Sequence, residues 1–290
     1  MGYYTIAAVL PDSVAAGTQC TTQARKSGHP GHRGYNVTMD KPCEQLHNGV
    51  VLAELGGHGD GPYCAGHGAG GALVIMGTYI VDAGDKVPYP RHFVFKPGKK
   101  NYQDYLREHV AAAKDSRARV AVSVVCVELK DTLEFLQAAE EAGADYAAYC
   151  AYSTMKMFVS RGLGRALCGR GQRDNLKRCA TEIVKAVSIP VIFKMGAEAT
   201  PAETVEIVET LAASGVPVVS IAVEGNMPGS AGLKTLSALR GTCSCLIGGG
   251  GISDETGARR MLESGADAVA IAAAAMNDPH LIGRIQKALR

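Results

Sequence analysis

Three stretches of this chain repeat one unit: a helix-forming run, a glycine, and then an unbroken apolar run. The unit reads A-A-E-E-A-G-A-D-Y-A-A-Y at 138–149, T-L-A-A-S-G-V-P-V-V-S-I-A at 210–222 and M-L-E-S-G-A-D-A-V-A-I-A at 261–272. Gly143, Gly215 and Gly265 stand where a helix end turns left-handed. An apolar run without polar alternation is what a parallel strand buried on both faces requires. Helix and strand in alternation mean βαβ units.

Apolar runs occur at 50–55, 72–76, 119–125, 145–149, 190–195, 217–223, 243–247 and 267–272. Helical patterns separate most of them, at 101–115, 130–142, 172–187, 201–214, 253–264 and 279–289. Eight strands in this order predict an α/β fold, a (β/α)8 TIM barrel over 46–290, with its site on the loops at the strand C-terminal ends. A doubly wound open sheet is the alternative. Residues 1–45 are expected to form a short N-terminal extension against the bottom or rim of the barrel.

Size and charge narrow the function. The chain has 290 residues, 47% hydrophobic, with a formal net charge of +2. That is enough for one large core, and the charge argues against a nucleic-acid partner. No apolar run reaches the ~20 residues of a membrane span. Nine cysteines, an odd number without regular spacing, fit reduced thiols and a cytoplasmic location. A small-molecule substrate is expected; assembly into homo-oligomers stays open.

The residues C-L-I-G-G-G-G-I-S-D, Cys245 to Asp254, suggest a ligand site. A strand runs into four glycines and then into a helix that Ser253 or Asp254 can cap. Glycines allow close backbone approach, and the helix start adds partial positive charge, so the turn suits a phosphate. A glycine-rich turn holding nothing is the plain alternative. Lys194 closes an otherwise apolar strand and must reach solvent, a carboxylate or an anionic ligand. Ser123 and Cys126, then Tyr149, Cys150, Tyr152 and Ser153, then Glu224 and Asn226, end other strands, and Gly229-Ser230-Ala231-Gly232 forms a second small-residue loop. Five histidines lie between residues 29 and 67, yet no pair has the usual ligand spacing, so no metal site is expected. Cys243 and Cys245 read as strand packing.

Over roughly 46–280 these motifs resemble the FMN-binding barrels of dihydroorotate dehydrogenase and, more distantly, tRNA-dihydrouridine synthase. H-N-G-V-V-L-A-E-L-G-G-H-G-D (47–60) resembles their first strand and flavin-facing loop. I-P-V-I-F-K-M resembles the strand whose lysine meets the flavin, P-G-S-A-G-L-K-T-L-S-A-L-R (228–240) a glycine-serine-glycine loop and the segment that follows it, and C-L-I-G-G-G-G-I-S-D the flavin phosphate loop. The resemblance implies FMN as cofactor, with Lys194 beside the ring, Gly56 and Gly57 along it, Ser123 nearby, and Gly249, Gly250 and Gly251 on the phosphate with Gly229 or Ser230 close by. Where those enzymes carry asparagine and cysteine-proline after the fourth strand, this chain has Y-C-A-Y-S-T. The catalytic cysteine position falls on Tyr152 or Ser153, with Cys150 near, and Glu224 replaces a sixth-strand histidine region. Cys150, Tyr152, Ser153 and Glu224 are therefore the proton-transfer candidates of an FMN-dependent oxidoreductase. A non-redox barrel for a phosphorylated metabolite is the main alternative. A tRNA-dihydrouridine synthase ranks lower, for want of charge and of a helical domain after the barrel.

Overall fold

β-Branched and small apolar residues dominate the runs identified above, and each folds as a strand. In the computed structural model the described residues are 41–81, 89–197, 200–223 and 227–290. Their strands are β1 (Gly49–Leu52), β2 (Leu73–Val81), β3 (Val94–Phe95), β4 (Arg119–Cys126), β5 (Tyr146–Ala151), β6 (Val191–Gly196), β7 (Val218–Ala222), β8 (Cys245–Gly249) and β9 (Ala268–Ile271). All their pairings are parallel. The order runs β1-β9-β8-β7-β6-β5-β4-β2, and β1 also pairs with β2, so eight strands close into a (β/α)8 barrel. The two-residue β3 is an appendage on the far end of β2.

Five long connecting helices lie within a few residues of their expected positions: Gln103–Ala113, Leu129–Glu141, Arg173–Ala186, Pro201–Ala213 and Leu281–Leu289. The helix Glu255–Glu263 starts at Asp254, whose carboxylate caps it. Two others went unread in the sequence. Gly61–His67 joins β1 to β2, capped by Asp60, and Ala231–Leu239 joins β7 to β8, capped by Ser230. The first is short and glycine-rich; the second starts within the small-residue loop 229–232. A further helix, Lys41–Leu46, covers the N-terminal end of the barrel. Leu46 is buried in the barrel interior, the Tyr146 hydroxyl donates to Gln45 Oε1 at 2.9 Å, and Gly49 leaves room for the Leu46 carbonyl. The rest of the expected extension lies outside the described residues.

Two apolar layers hold the barrel. One lies between strands and helices; the other fills the interior with Val51, Leu73, Ala121, Ala148, Ile192 and Val218 among others. The short β1 needs help to close the ring. Gln286, from the last helix, accepts from Val50 N–H at 2.7 Å through Oε1 and donates through Nε2 to the Asn48 carbonyl at 3.1 Å. Substituting Gln286→Ala leaves the buried Val50 N–H without that acceptor. We expect urea unfolding to show a loss of about 1–3 kcal/mol, the cost of stranding a buried backbone donor; an unchanged midpoint would mean that closure does not depend on this clamp.

Candidate functional site

Side chains along a strand alternate between faces, so residues two apart share one. Ala148, Ile192 and Val218 are register neighbours within the apolar interior. One step towards the C-terminal ends, the matching layer is Cys150, Lys194 and Ser220, neighbours across β5, β6 and β7. The interior thus turns polar where the strands end. A cavity of about 380 Å3 opens there, lined by Lys194, Tyr152, Ser220, the turn Gly249–Ser253 and residues Ala270–Ala274. That volume falls within the ~300–1,000 Å3 common for small-molecule sites.

The glycines of the turn serve different ends. Gly250 has φ +130°, and a Cβ there would run into the Val223 carbonyl, so packing under β7 dictates glycine. Gly251 has φ +65°, and a Cβ there would meet nothing within 4 Å, so this position faces open space. Asp254 Oδ1 accepts from Gly257 N–H at 2.7 Å, which gives the following helix its own anion at the N-terminus.

Lys194 is neutralised within the fold. Its Nζ lies 3.1 Å from Glu54 Oε2, with the side chains 15% and 3% exposed, and 5.9 Å from the centre of the Tyr152 ring. Burial pushes the lysine's pKa down; the Glu54 carboxylate, with Cys150 and Tyr152, more than offsets this and leaves it above its ordinary value. Among the described residues the Glu54 carboxylate makes no other hydrogen bond. Glu54 was not singled out in the sequence, because it sits within the apolar run V-V-L-A-E-L and reads as part of the strand. It in fact follows β1, in the loop that faces β6. Burial raises the Cys150 thiol, Glu54 adds to this, and Lys194 only partly opposes it, so Cys150 keeps its proton at neutral pH.

The other expected residues scatter. Tyr152 lines the cavity and is 41% exposed. Ser153 is tied into its own loop: its carbonyl accepts from Arg165 N–H at 2.9 Å, and its Oγ from Met155 N–H at 3.4 Å. Ser123 is fully buried, its Oγ 3.2 Å from Thr78 Oγ1, and does not line the cavity. Gly56 and Gly57 face Tyr89 and Pro90, which occupy the space a Cβ would need, so these glycines serve that packing. Ser230 Oγ caps the helix Ala231–Leu239 through Leu233 N–H at 3.3 Å. Gly229 lines a separate surface depression with Leu233 and Arg260. Glu224 lies outside the described residues.

Residues 107–290, more than half of the chain, match the family model for dihydrouridine synthase (Dus). The chain belongs to the dihydrouridine synthase family. It is a divergent member of the FMN-binding TIM-barrel superfamily. None of the curated proteins matches its sequence. Among solved structures it is similar to DHODH in complex with ferulenol from Eimeria tenella, at 17% identity and a TM-score of 0.62, covering 88% of this chain and 86% of that one. It is also similar to TcOYE with pHBA, at 13% identity and a TM-score of 0.62, covering 84% and 90%. At these identities the likeness is one of fold.

Two experiments probe the geometry. Gly251→Ala adds a methyl group in open space at a cost of about 1–2 kcal/mol for the left-handed backbone. Isothermal titration should show it weakening inorganic phosphate or flavin binding, while Gly250→Ala, which strikes Val223, lowers thermal stability first. Equal ligand affinity in Gly251→Ala and wild type would remove the turn from the site. For the ion pair, Glu54→Gln and Lys194→Met should each destabilise by about 3 kcal/mol, since each strands a buried charge, and the double variant by less than their sum. Strict additivity in urea unfolding would show that the pair is uncoupled.

Proposed function

We propose that this chain is an FMN-dependent oxidoreductase acting on a small molecule at the C-terminal mouth of the barrel. The observation that carries the reading is the shared cavity, in which Lys194 and the Gly249–Gly251 turn line one space. Family membership supports it. The residues fit the group: an open glycine position for a terminal phosphate, a buried ammonium for the electron-rich side of a ring, and alanines at 270 and 272–274 that leave room for a flat body. When bound, FMN would supply hydride transfer. Lys194 would hold positive charge against the ring, and Glu54 would fix where that ammonium points. Tyr152 would shield the pair from solvent while leaving an edge for substrate. Cys150 keeps a proton in the same layer as Lys194 but does not line the cavity, which leaves the exposed Tyr152 hydroxyl as the proton donor at the mouth.

A tRNA substrate is the second reading. Residues 146–173 contain Lys156, Arg161, Arg165, Arg170 and Arg173 and no acidic residue. The first four are exposed, on the segment that follows β5 at the mouth. Arg170 pairs with Glu203 and Arg173 with Glu206 within the fold, so a phosphate backbone would compete with those carboxylates for the strip.

The first test is spectroscopic. Purified protein should absorb near ~450 nm and release FMN on denaturation; a colourless protein that takes up no added FMN would defeat the redox reading. In the flavin-loaded protein, Lys194→Met should lower the two-electron potential and Glu54→Gln should raise it. An isolated ammonium at about 4 Å would be worth roughly 4 kcal/mol at an effective dielectric of ~20. Glu54 cancels much of that, so shifts on the order of 30 mV, or about 1.4 kcal/mol, are expected. Potentials unmoved in both variants would show that neither group faces the ring.

A further inference from the structure

At the opposite end of the barrel, three metal-ligating side chains meet from three segments distant in sequence. Cys43 comes from the helix Lys41–Leu46, Cys245 is the first residue of β8, and Asp267 immediately precedes β9. The two sulfurs and the carboxylate all lie within 4.8 Å of one another, and among the described residues no other such group of histidine, cysteine and acidic side chains occurs. Cys243 approaches from the turn before β8, its sulfur 3.5 Å from the Cys245 carbonyl. We propose that Cys43, Cys245 and Asp267 bind a divalent soft-to-borderline metal ion of the zinc class, with Cys243 or a water completing a four-coordinate site.

The fold holds each of the three ligands in place. Asp267 is fixed from three sides: Oδ2 accepts from Leu246 N–H at 2.8 Å, its N–H donates to the Leu246 carbonyl at 2.8 Å, and its carbonyl accepts from Asn48 N–H at 2.7 Å. Asp145 makes the same pair of bonds with Val120 in an earlier repeat, so the fold itself orients this carboxylate; what sets Asp267 apart is the two cysteine sulfurs beside it. Cys245 is held by the β7–β8 register. Cys43 is placed by its helix, anchored through Leu46 in the interior and Gln45 on Tyr146. Thiolates with a carboxylate select zinc over the hard cations, which take oxygen ligands alone. A zinc–sulfur bond of ~2.3 Å puts tetrahedral sulfurs about 3.8 Å apart, a spacing compatible with ligand atoms that all lie within 4.8 Å of one another. Metal entry releases one proton from each ligating thiol, and the positive ion then offsets the thiolates and the carboxylate.

The position sets the role. Cys245 lies on the same strand as Gly249 but at its other end, about 13 Å away at ~3.3 Å per residue. The apolar interior lies between them. Residues at this end of such barrels serve stability rather than chemistry. A metal here would fasten the helix Lys41–Leu46 to β8 and β9 and leave the mouth untouched.

The full chain, purified under reducing conditions and dialysed, should hold about one equivalent of zinc by elemental analysis. Replacing zinc with cobalt(II) should give a thiolate-to-metal charge-transfer band and the intense d–d bands of a tetrahedral site. Cys43→Ser, on the partly exposed helix, and Asp267→Asn, which keeps an oxygen for Leu246 N–H, should each weaken cobalt binding at least about tenfold, with unchanged circular dichroism. Cys245→Ser is expected to lose metal too, but it sits in the core, so the test rests on the other two variants. Folded, reduced wild-type protein with no stoichiometric metal and no cobalt bands would overturn the proposal. So would cobalt bands unaltered in Cys43→Ser, or a Cys43–Cys245 disulfide as the form recovered without reductant.

Discussion

Closure of the sheet rests on β1, a strand of four residues with neighbours on both sides. It pairs over its whole length with β9 but over only two residues with β2. The Gln286 amide stands in where the β2 ladder is missing. Everything at the mouth depends on that ring. Glu54, just past β1, meets Lys194 of β6 across the barrel only because the sheet comes round on itself. In an open sheet of the same order, β9, β8 and β7 would stand between the two. The alternative doubly wound topology would therefore have left a lysine at the end of an apolar strand without its carboxylate.

The fold was legible because its signal is redundant. A parallel strand covered on both faces is apolar over most of its length, and all eight barrel strands carry that mark. The helices announce themselves by period, and three of them also by a C-terminal glycine, Gly143, Gly215 or Gly265. What escaped notice was short or borrowed its pattern from something else. Gly61–His67 has too few residues to show a period, and the start of Ala231–Leu239 is masked by the small-residue composition of 229–232.

The site was legible only in part, for a related reason. Lys194 and Gly249–Gly251 break the composition of their own strands, so each stands out locally. Glu54 looks like one more strand residue; its role comes from a partner 140 residues away. Ser123, Gly56 and Gly57 carried local marks as well, but their surroundings use them up: a hydroxyl paired with Thr78, and two glycines beneath Tyr89 and Pro90. The cluster at the bottom is the extreme case. Cys43 and Cys245 are separated by most of the chain, and no spacing rule joins them. Only the barrel brings them within reach.

The mouth offers an incoming anion less net charge than its sequence suggests. Lys194 already faces a carboxylate, and the helix after the glycine turn already has Asp254 at its N-terminus. Neither the cation nor the helix end stands ready to hold a polyanion by charge alone. Attraction must come from the backbone of the turn, where direction and close approach count for more than charge. Such a surface suits a single terminal anion on an otherwise neutral, flat ligand. That is the shape of a flavin mononucleotide on the proposed reading. The basic strip at 156–173 lies on a separate segment, so it could attract a polyanionic substrate without displacing what the cavity holds. Charge for substrate and shape for cofactor would then be carried by different parts of one mouth, each free to change without the other.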